Sequence, residues 1–386
     1  MCQRLPASLP SVCCAYVPYL EKVFLPIRGP RSVETAIKFA RAATGRDGIV
    51  SLQPRFPRPH EWFAVADRDK IFRDGFGPLL PGCVEVPFND LGALEAALIS
   101  KKIAAFIVEP IQGSGVSVAA DDYLRRRPSF AASTARCSLP TKFKPAWDEP
   151  DDFWPASIGA SSPISFSLSK SLSGGQQVPS GAVLTRKWIF DKVFDRMDRA
   201  VVHGSTFSKN DLAMAAGLAT LEVIESEGLM QNAERKGARL LATFERMIGR
   251  HELVKEVRGK GLMIGIEFGA PRSLKLKASW NLLETANSGL FCQLIVIPLL
   301  KEHRILSQVA GHGNHTIKLL PPLIISDEDC DWIERSFEAV IADAHRVPGA
   351  IWSLGKTWSR MRRAPAHAPK SHARALLSLS AAAASA

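Results

Sequence analysis

A lone lysine, Lys170, stands within residues 164–185 (ISFSLSKSLSGGQQVPSGAVLT), with serines on both sides and Gly174, Gly175 and Gly181 behind it. Desolvated in such a place, an amine is depressed in pKa and becomes a nucleophile towards a carbonyl. Left on a polar turn it is a solvated cation, and the stretch by itself leaves both readings open. Three other places carry groups able to do chemistry. Glu109 closes the apolar run AAFIVEP, Lys318 sits in IKLLPPL, and Ser205 and Thr206 supply hydroxyls in HGSTF, residues 203–207. Glu109 reads equally well as a substrate-facing carboxylate and as a buried strand-end carboxylate with a structural role. No C-x-x-C pair occurs among the seven cysteines, and no metal site is expected.

These groups need a scaffold, and the hydrophobic pattern sketches one. Residues 33–46 (VETAIKFARAATGR) have the period of a helix, with Gly45 as its stop. Residues 90–102 form another, capped by Asp90 and ending on Lys101-Lys102. Residues 104–110 (AAFIVEP) are a short continuous apolar run, the mark of a buried parallel strand. A long helix starts at about Asp211, and residues 254–268 (VKEVRGKGLMIGIEF) read as two strands turning near Gly259-Lys260-Gly261. Residues 326–345 form a helix opened by Ser326 and Asp329 in a capping-box arrangement. The run LIVIPLL, residues 294–300, suits a buried strand. Residues 1–18 show no clear period. Alternating helices and apolar strands predict an α/β layer fold.

At 386 residues the chain has room for two cores. Its expected division is a truncated N-terminal segment 1–19, a large domain 20–228, a smaller α+β domain 229–345 and a basic, unstructured tail 346–386. No apolar run approaches 18 residues, and the opening MCQRLPASLP lacks the apolar core of a signal peptide. With its cysteine pattern, this predicts reduced thiols and a cytoplasmic protein. The formal charge of +11 invites a nucleic-acid reading, but +7 of it comes from Arg346, Lys356, Arg360, Arg362, Arg363, Lys370 and Arg374, with no acidic residue among 346–386. No nucleic-acid motif accompanies that tail. It reads as a solvated segment, with weak contact to an anionic membrane surface as the second reading.

The segment ISFSLSKSLSGG followed by PSGAVL resembles the cofactor-lysine segment of class III aminotransferases, the family that includes ornithine and acetylornithine aminotransferases. VETAIKFARAATGR, AAFIVEPIQG, HGSTF, LATLEVIESEGL, VRGKGLMIGIEF and IKLLPPL resemble the same family, in family order, across most of residues 33–344. The resemblance implies a fold-type-I pyridoxal-phosphate-dependent transferase with a mostly parallel sheet in its large domain. It implies a homodimer with active sites at the subunit interface. Lys170 would hold pyridoxal 5'-phosphate as a Schiff base and shuttle the proton, Thr206 would reach the cofactor phosphate of the neighbouring subunit, and Ser205 beside it would also bind the cofactor. Glu109 and Lys318 would face the substrates, a small-molecule amino donor and a carbonyl acceptor.

Three family motifs are missing, and all three touch the cofactor. A Ser-Gly-Thr phosphate loop is replaced by LPIRGPRS, residues 25–32, which keeps only Gly29. An aromatic-His-Gly element is replaced by RFPRP, residues 55–59, which keeps Phe56. Asp-Glu-x-Gln-Thr-Gly is replaced by TKFKPA, residues 141–146, so that Thr141 stands where an aspartate would pair with the pyridinium nitrogen. The genetic code offers a common cause. Read one nucleotide earlier, residues 25–31 are compatible with Phe-Ala-Asn-Ser-Gly-Thr-Glu, and residues 140–155 with a run opening Ala-Asp-Glu-Ile-Gln-Thr-Gly. Shifted the other way, residues 55–66 can give Ala-Phe-His-Gly. The recovered aspartate falls 29 residues before Lys170, the family's separation. Compensated frameshifts therefore explain the losses; the alternatives are a divergent protein with a rebuilt site and a catalytically inactive relative acting at most as a scaffold. Two departures lie outside the shifted stretches. Lys318 stands where the family usually has an arginine, and Ser114 where ornithine-type members have a glutamate. Both point to an acceptor other than a simple α-amino-acid partner, such as an aldehyde-bearing molecule, and IKLLPPL most resembles the branch associated with hopanoid side chains.

Overall fold

Two apolar runs set the architecture. Strands β2 (Gly48–Leu52) and β4 (Ile103–Val108) are buried at every position, the pattern of strands covered on both faces by other layers. In the computed structural model of the protein they lie side by side and parallel, Ile49 opposite Ala105 and Ser51 opposite Ile107. The structure describes residues 5–27, 29–53, 75, 77, 80–100, 102–109, 111–113, 115–120, 123, 132–136, 165–169, 171–173, 178, 180–286, 289–311 and 314–346. Lys170, Phe56, Thr141, Ser114 and the tail beyond Arg346 lie outside them.

Helix α1 (Leu5–Tyr16), strand β1 (Lys22–Phe24) and helix α2 (Gly29–Thr44) precede β2. Strand β3 (Cys83–Val86) and helix α3 (Leu91–Ile99) lead into β4. The hairpin β5 (Ile111–Gln112) and β6 (Ser117–Val118) follows, then β7 (Ala132–Arg136), β8 (Ser165–Ser169) and β9 (Gly181–Thr185). The sheet runs β1-β9-β8-β7-β4-β2-β3. The five strands from β8 to β3 are mutually parallel, β9 is antiparallel to β8, and β1 is antiparallel to β9. Helix α2 begins four residues before the expected start. Pro30 is accepted there because the first turn needs no N–H from it, and Gly45, at φ +68°, ends the helix. Its buried face crosses β4, β7, β8 and β9.

Helix α4 (Lys187–Val193) and helix α5 (Asp211–Ser226) complete the first core. Helix α1 was hidden from the sequence by Pro6 and Pro10, yet Leu9 and Cys13 form a buried i, i+4 stripe that packs with Leu221 and Met214 of α5.

The second core belongs to an antiparallel sheet, β10 (Val254–Lys260), β11 (Met263–Phe268), β12 (Gln308–Val309) and β13 (Thr316–Leu319), in the order β10-β11-β13-β12. Helices α6 (Leu229–Arg250), α7 (Leu274–Ala286), α8 (Leu290–Lys301) and α9 (Asp327–Ala344) cover it. Residues 294–300 belong to α8, which corrects the expected strand. Phe291, Cys292, Leu294, Ile295 and Leu299 are buried at helical spacing while Leu300 is exposed, and an unbroken apolar run cannot by itself separate the two periods. The capping box of α9 is formed: Ser326 Oγ accepts from Asp329 N at 3.0 Å, and Asp329 Oδ2 accepts from Ser326 N at 3.0 Å. Helix α6 meets the hairpin at Gly237, where a Cβ would lie 2.3 Å from the carbonyl of Gly261. Among the described residues no single helix is long and apolar enough to cross a membrane.

Candidate active site

Parallel strands end on a common edge, and open α/β sheets bind ligands there. Here β2, β4, β7 and β8 end side by side, and the last residue of β8, Ser169, precedes Lys170 in the chain. Val108, the last residue of β4, faces Ala135 of β7. Glu109 follows it, half-buried, and its Oε2 accepts from Gly113 N at 3.3 Å. Gln112 is buried, and its Nε2 donates to Gln53 O at 3.2 Å, just past the end of β2. The β5–β6 hairpin is thus fastened to two strand ends, by the Glu109 side chain after β4 and by its own Gln112 side chain on the Gln53 carbonyl after β2.

The second sheet reaches the same hairpin. Lys318, on β13, donates from Nζ to Gly113 O at 3.4 Å. Glu109 and Lys318, 209 positions apart in sequence numbering, therefore hold the N–H and the carbonyl of one residue. Arg258 of β10 donates to Gly115 O in the turn of the hairpin. Nothing in the pattern of residue types singles out Arg258 or Gln112. Arg258 stands in VKEVRGK beside Lys255, Glu256 and Lys260, so its charge carried no signal of its own.

The HGSTF segment lies against α2 and β1. His203 is half-buried; its Nε2 is 2.7 Å from Thr35 Oγ1, and its ring lies 5.1 Å from Phe24 and 6.1 Å from Phe39. Burial, and then the charge of Lys38, lowers the His203 pKa from its ordinary value. Ser205 is half-buried and Thr206 exposed. Gly29, buried, opens α2, so one helix carries both the phosphate-loop position and the anchor of HGSTF. Between β1, α4 and the HGSTF segment lies a cavity of about 630 Å³, lined by Phe24, Phe190, Phe194, Arg196, His203 and Ser205 among others.

The donor set can be tested against a phosphorylated aldehyde cofactor. It offers an amine after β8, hydroxyls at Ser205 and Thr206, and the positive N-terminal end of a 16-residue helix for a phosphate. These fit the group. The phosphate cradle is thinner than a Ser-Gly-Thr turn, because Pro30 has no N–H and the guanidinium of Arg31 is engaged by Glu34 at 2.7 Å.

The family model for Aminotransferase class-III matches residues 3–136 and 152–341. The chain belongs to that family. Class-III aminotransferases are pyridoxal-phosphate-dependent enzymes of transamination, and this chain has their α/β, fold-type-I architecture. The family match breaks at residues 137–151, the stretch that contains Thr141. Aminotransferase PigE of Serratia sp. (strain ATCC 39006) is 30% identical over 367 residues, covering 86% of this chain; the chain spans 43% of that protein's length. Ornithine aminotransferase of Bacillus cereus (strain Q1) is 30% identical over 335 residues, 83% of this chain and 76% of the enzyme. The crystal structure of ornithine aminotransferase from Toxoplasma gondii ME49 superposes with a TM-score of 0.73 at 25% identity, over 89% of this class-III chain and 77% of its own. A further structure of that enzyme has partial occupancy of PLP at its active site.

Proposed function

We propose that the chain binds pyridoxal phosphate through Lys170 and moves an amino group from an amino-acid donor to a ketone or aldehyde acceptor. The observation that carries this reading is the bracketing of Gly113 by Glu109 and Lys318 at the sheet edge where β8 hands over to Lys170. Pyridoxal phosphate supplies a carbonyl and a ring that absorbs electrons.

Each role falls to a residue suited to it. Lys170 Nζ is the amine that accepts the proton from the donor's Cα and returns it to the product. Lys318 Nζ, already oriented by Gly113 O, presents a single positive charge to an acidic group of the substrate. An ammonium is a point charge without the planar fork of an arginine, so it grips a carboxylate without fixing its plane. That favours donors and acceptors in which the carboxylate is distant from the reacting carbon or absent, and an aldehyde-bearing acceptor fits. Glu109, spent on Gly113 N, shapes the hairpin beside Lys318 and gives the site its acidic side.

The homodimer is part of the proposal. Met197, Val201 and Phe207 are 91%, 89% and 68% exposed around the HGSTF segment, an apolar surface of the kind a second copy covers. In such a dimer Ser205 and Thr206 donate to the partner's cofactor phosphate, a charge-assisted bond.

The test is direct. The purified chain is mixed with pyridoxal phosphate, reduced with borohydride and mapped by mass spectrometry. Wild type is expected to carry the cofactor on Lys170, and Lys170→Ala to carry none. Glutamate, ornithine and alanine then serve as donors in a spectral assay. Cofactor fixed on another lysine in Lys170→Ala, with turnover retained, would overturn the assignment.

A further inference from the structure

Strand β10 carries an arginine whose side chain leaves its own sheet. Arg258 is 9% exposed. Its Nη1 lies 2.5 Å from Glu267 Oε2 and 3.2 Å from Glu256 Oε2, and Nη2 donates to Thr316 Oγ1 at 3.2 Å. Those contacts stay within the second sheet and orient the guanidinium. Nε and Nη2 then both donate to the carbonyl oxygen of Gly115, at 3.1 and 2.8 Å. Two charged N–H groups on one oxygen give a strong bond of fixed direction, which the single ammonium of a lysine does not reproduce.

The turn they grip is strained. Val116 has φ +52°, in the left-handed region, where a β-branched residue sits only if its surroundings hold it there. Val116 is fully buried, and it fits because Gly265 of β11 has no side chain. A Cβ at Gly265 would come within 2.9 Å of Val116 Cβ. Strain of this kind persists where it positions something, and Gly113 lies two residues upstream of Gly115.

We propose that Arg258 is a positioning residue: by holding Gly115 O it keeps the Gly115–Val116 turn in its strained form, and so fixes Gly113 between Glu109 and Lys318. The second sheet thereby sets where the Lys318 charge stands over the sheet edge. The effect on substrate rests on the reading of Lys318 given under Proposed function; the effect on the turn does not.

The experiment uses Arg258→Lys, which keeps a cation beside Glu256 and Glu267 but loses the two-pronged grip. Amide hydrogen exchange of residues 111–118 is expected to quicken by about tenfold or more, as for loss of a charge-assisted bond, with β10 and β11 unchanged. KM for the amino donor is expected to rise by a similar factor with kcat little altered. Val116→Gly removes the strain, since glycine adopts positive φ freely. Arg258→Lys in a Val116→Gly background is therefore expected to shift exchange less than threefold relative to Val116→Gly alone. A uniform rise across β10 and β11, or an undiminished Arg258→Lys effect in the glycine background, would show that the arginine only neutralises its two glutamates, and would overturn the proposal. If the wild-type chain has no turnover, the proposed function fails while the exchange measurements still decide the role of Arg258.

Discussion

His203 Nε2 and Thr35 Oγ1 lie 2.7 Å apart, and their bond fixes which imidazole nitrogen holds the proton. The Thr35 hydroxyl donates to Arg31 O at 2.7 Å, so it has only a lone pair left for His203, and Nε2 must be the donor. Nδ1 is then bare and faces Lys38 Nζ at 3.5 Å. A second proton on the ring would point at an ammonium, which agrees with a pKa lowered first by burial and then by Lys38. The unfolded chain, with the ordinary histidine value of 6.5, takes up that proton first as pH falls. Stability from this contact is full above about pH 6.5 and declines as pH drops below it towards the folded pKa. His203→Gln keeps a donor for Thr35 and is expected to flatten that acid limb, read as thermal midpoints between pH 7.5 and pH 5.

Thr206→Ala is expected to weaken pyridoxal phosphate affinity by roughly ten- to a hundredfold, the loss of a hydrogen bond to a charged group at about 1.5–3 kcal/mol. The wild-type chain is expected to sediment as a dimer. A monomer whose cofactor affinity is indifferent to Thr206→Ala would remove the partner-phosphate role.

Lys318→Arg should restore a bidentate grip on a substrate carboxylate. The expected outcome is a gain in kcat/KM for glutamate or alanine relative to an acceptor aldehyde, by about tenfold. Equal effects on both substrates would mean that residue 318 does not face the carboxylate.

Residues 137–151 interrupt the family match. Replacing residues 140–155 by the run opening Ala-Asp-Glu-Ile-Gln-Thr-Gly puts a carboxylate at position 141, where it can hold the pyridine nitrogen protonated. Turnover by the altered chain is expected to exceed that of the natural one by at least a hundredfold, measured with the same donors. Comparable rates would show that the site has been rebuilt around another partner.

Gly237→Ala puts a methyl group 2.3 Å from backbone atoms of Gly261, which belong to the hairpin turn and have no rotamer to change. Overpacking of this kind costs about 1–3 kcal/mol. Denaturant unfolding of the variant is expected to show that loss with the cofactor affinity unchanged.

The elements legible in the sequence were those whose ends carry their own chemistry. Asp90 caps α3 by accepting from Ala93 N at 2.9 Å, Asn210 caps α5, and the Ser326–Asp329 box opens α9. Each is a local bond between neighbours, and local bonds leave a local signature. Strand β4 was legible for a related reason, since burial on both faces demands an unbroken apolar run, whereas β7 (ASTAR) and β8 (SFSLS) carry no such run. Helix α8 was not, because a fully covered helix writes the same run. Of the site, Glu109, Lys318 and the HGSTF hydroxyls were readable as residue types. Their arrangement was not, because the Gly113 bracket joins strands distant in the chain. Arg258 acts on a carbonyl oxygen, a partner that every residue possesses and no sequence pattern marks.

The position of β1 decides the order in which this molecule can assemble. Lys22 pairs with Thr185 and Phe24 with Val183, and among the described residues β9 is the only neighbour β1 has in the sheet. At a translation speed of about 5–20 residues per second, that partner emerges roughly ten to thirty seconds after β1 does. Until then β1 has an unpaired edge, and Leu9 and Cys13 lack the α5 surface that buries them. The second sheet, by contrast, finds every strand partner between Val254 and Leu319. Contacts of long sequence separation form late. Strand β1 therefore closes into the sheet only after β9 has been made, and that pairing fastens the strand that follows Lys170.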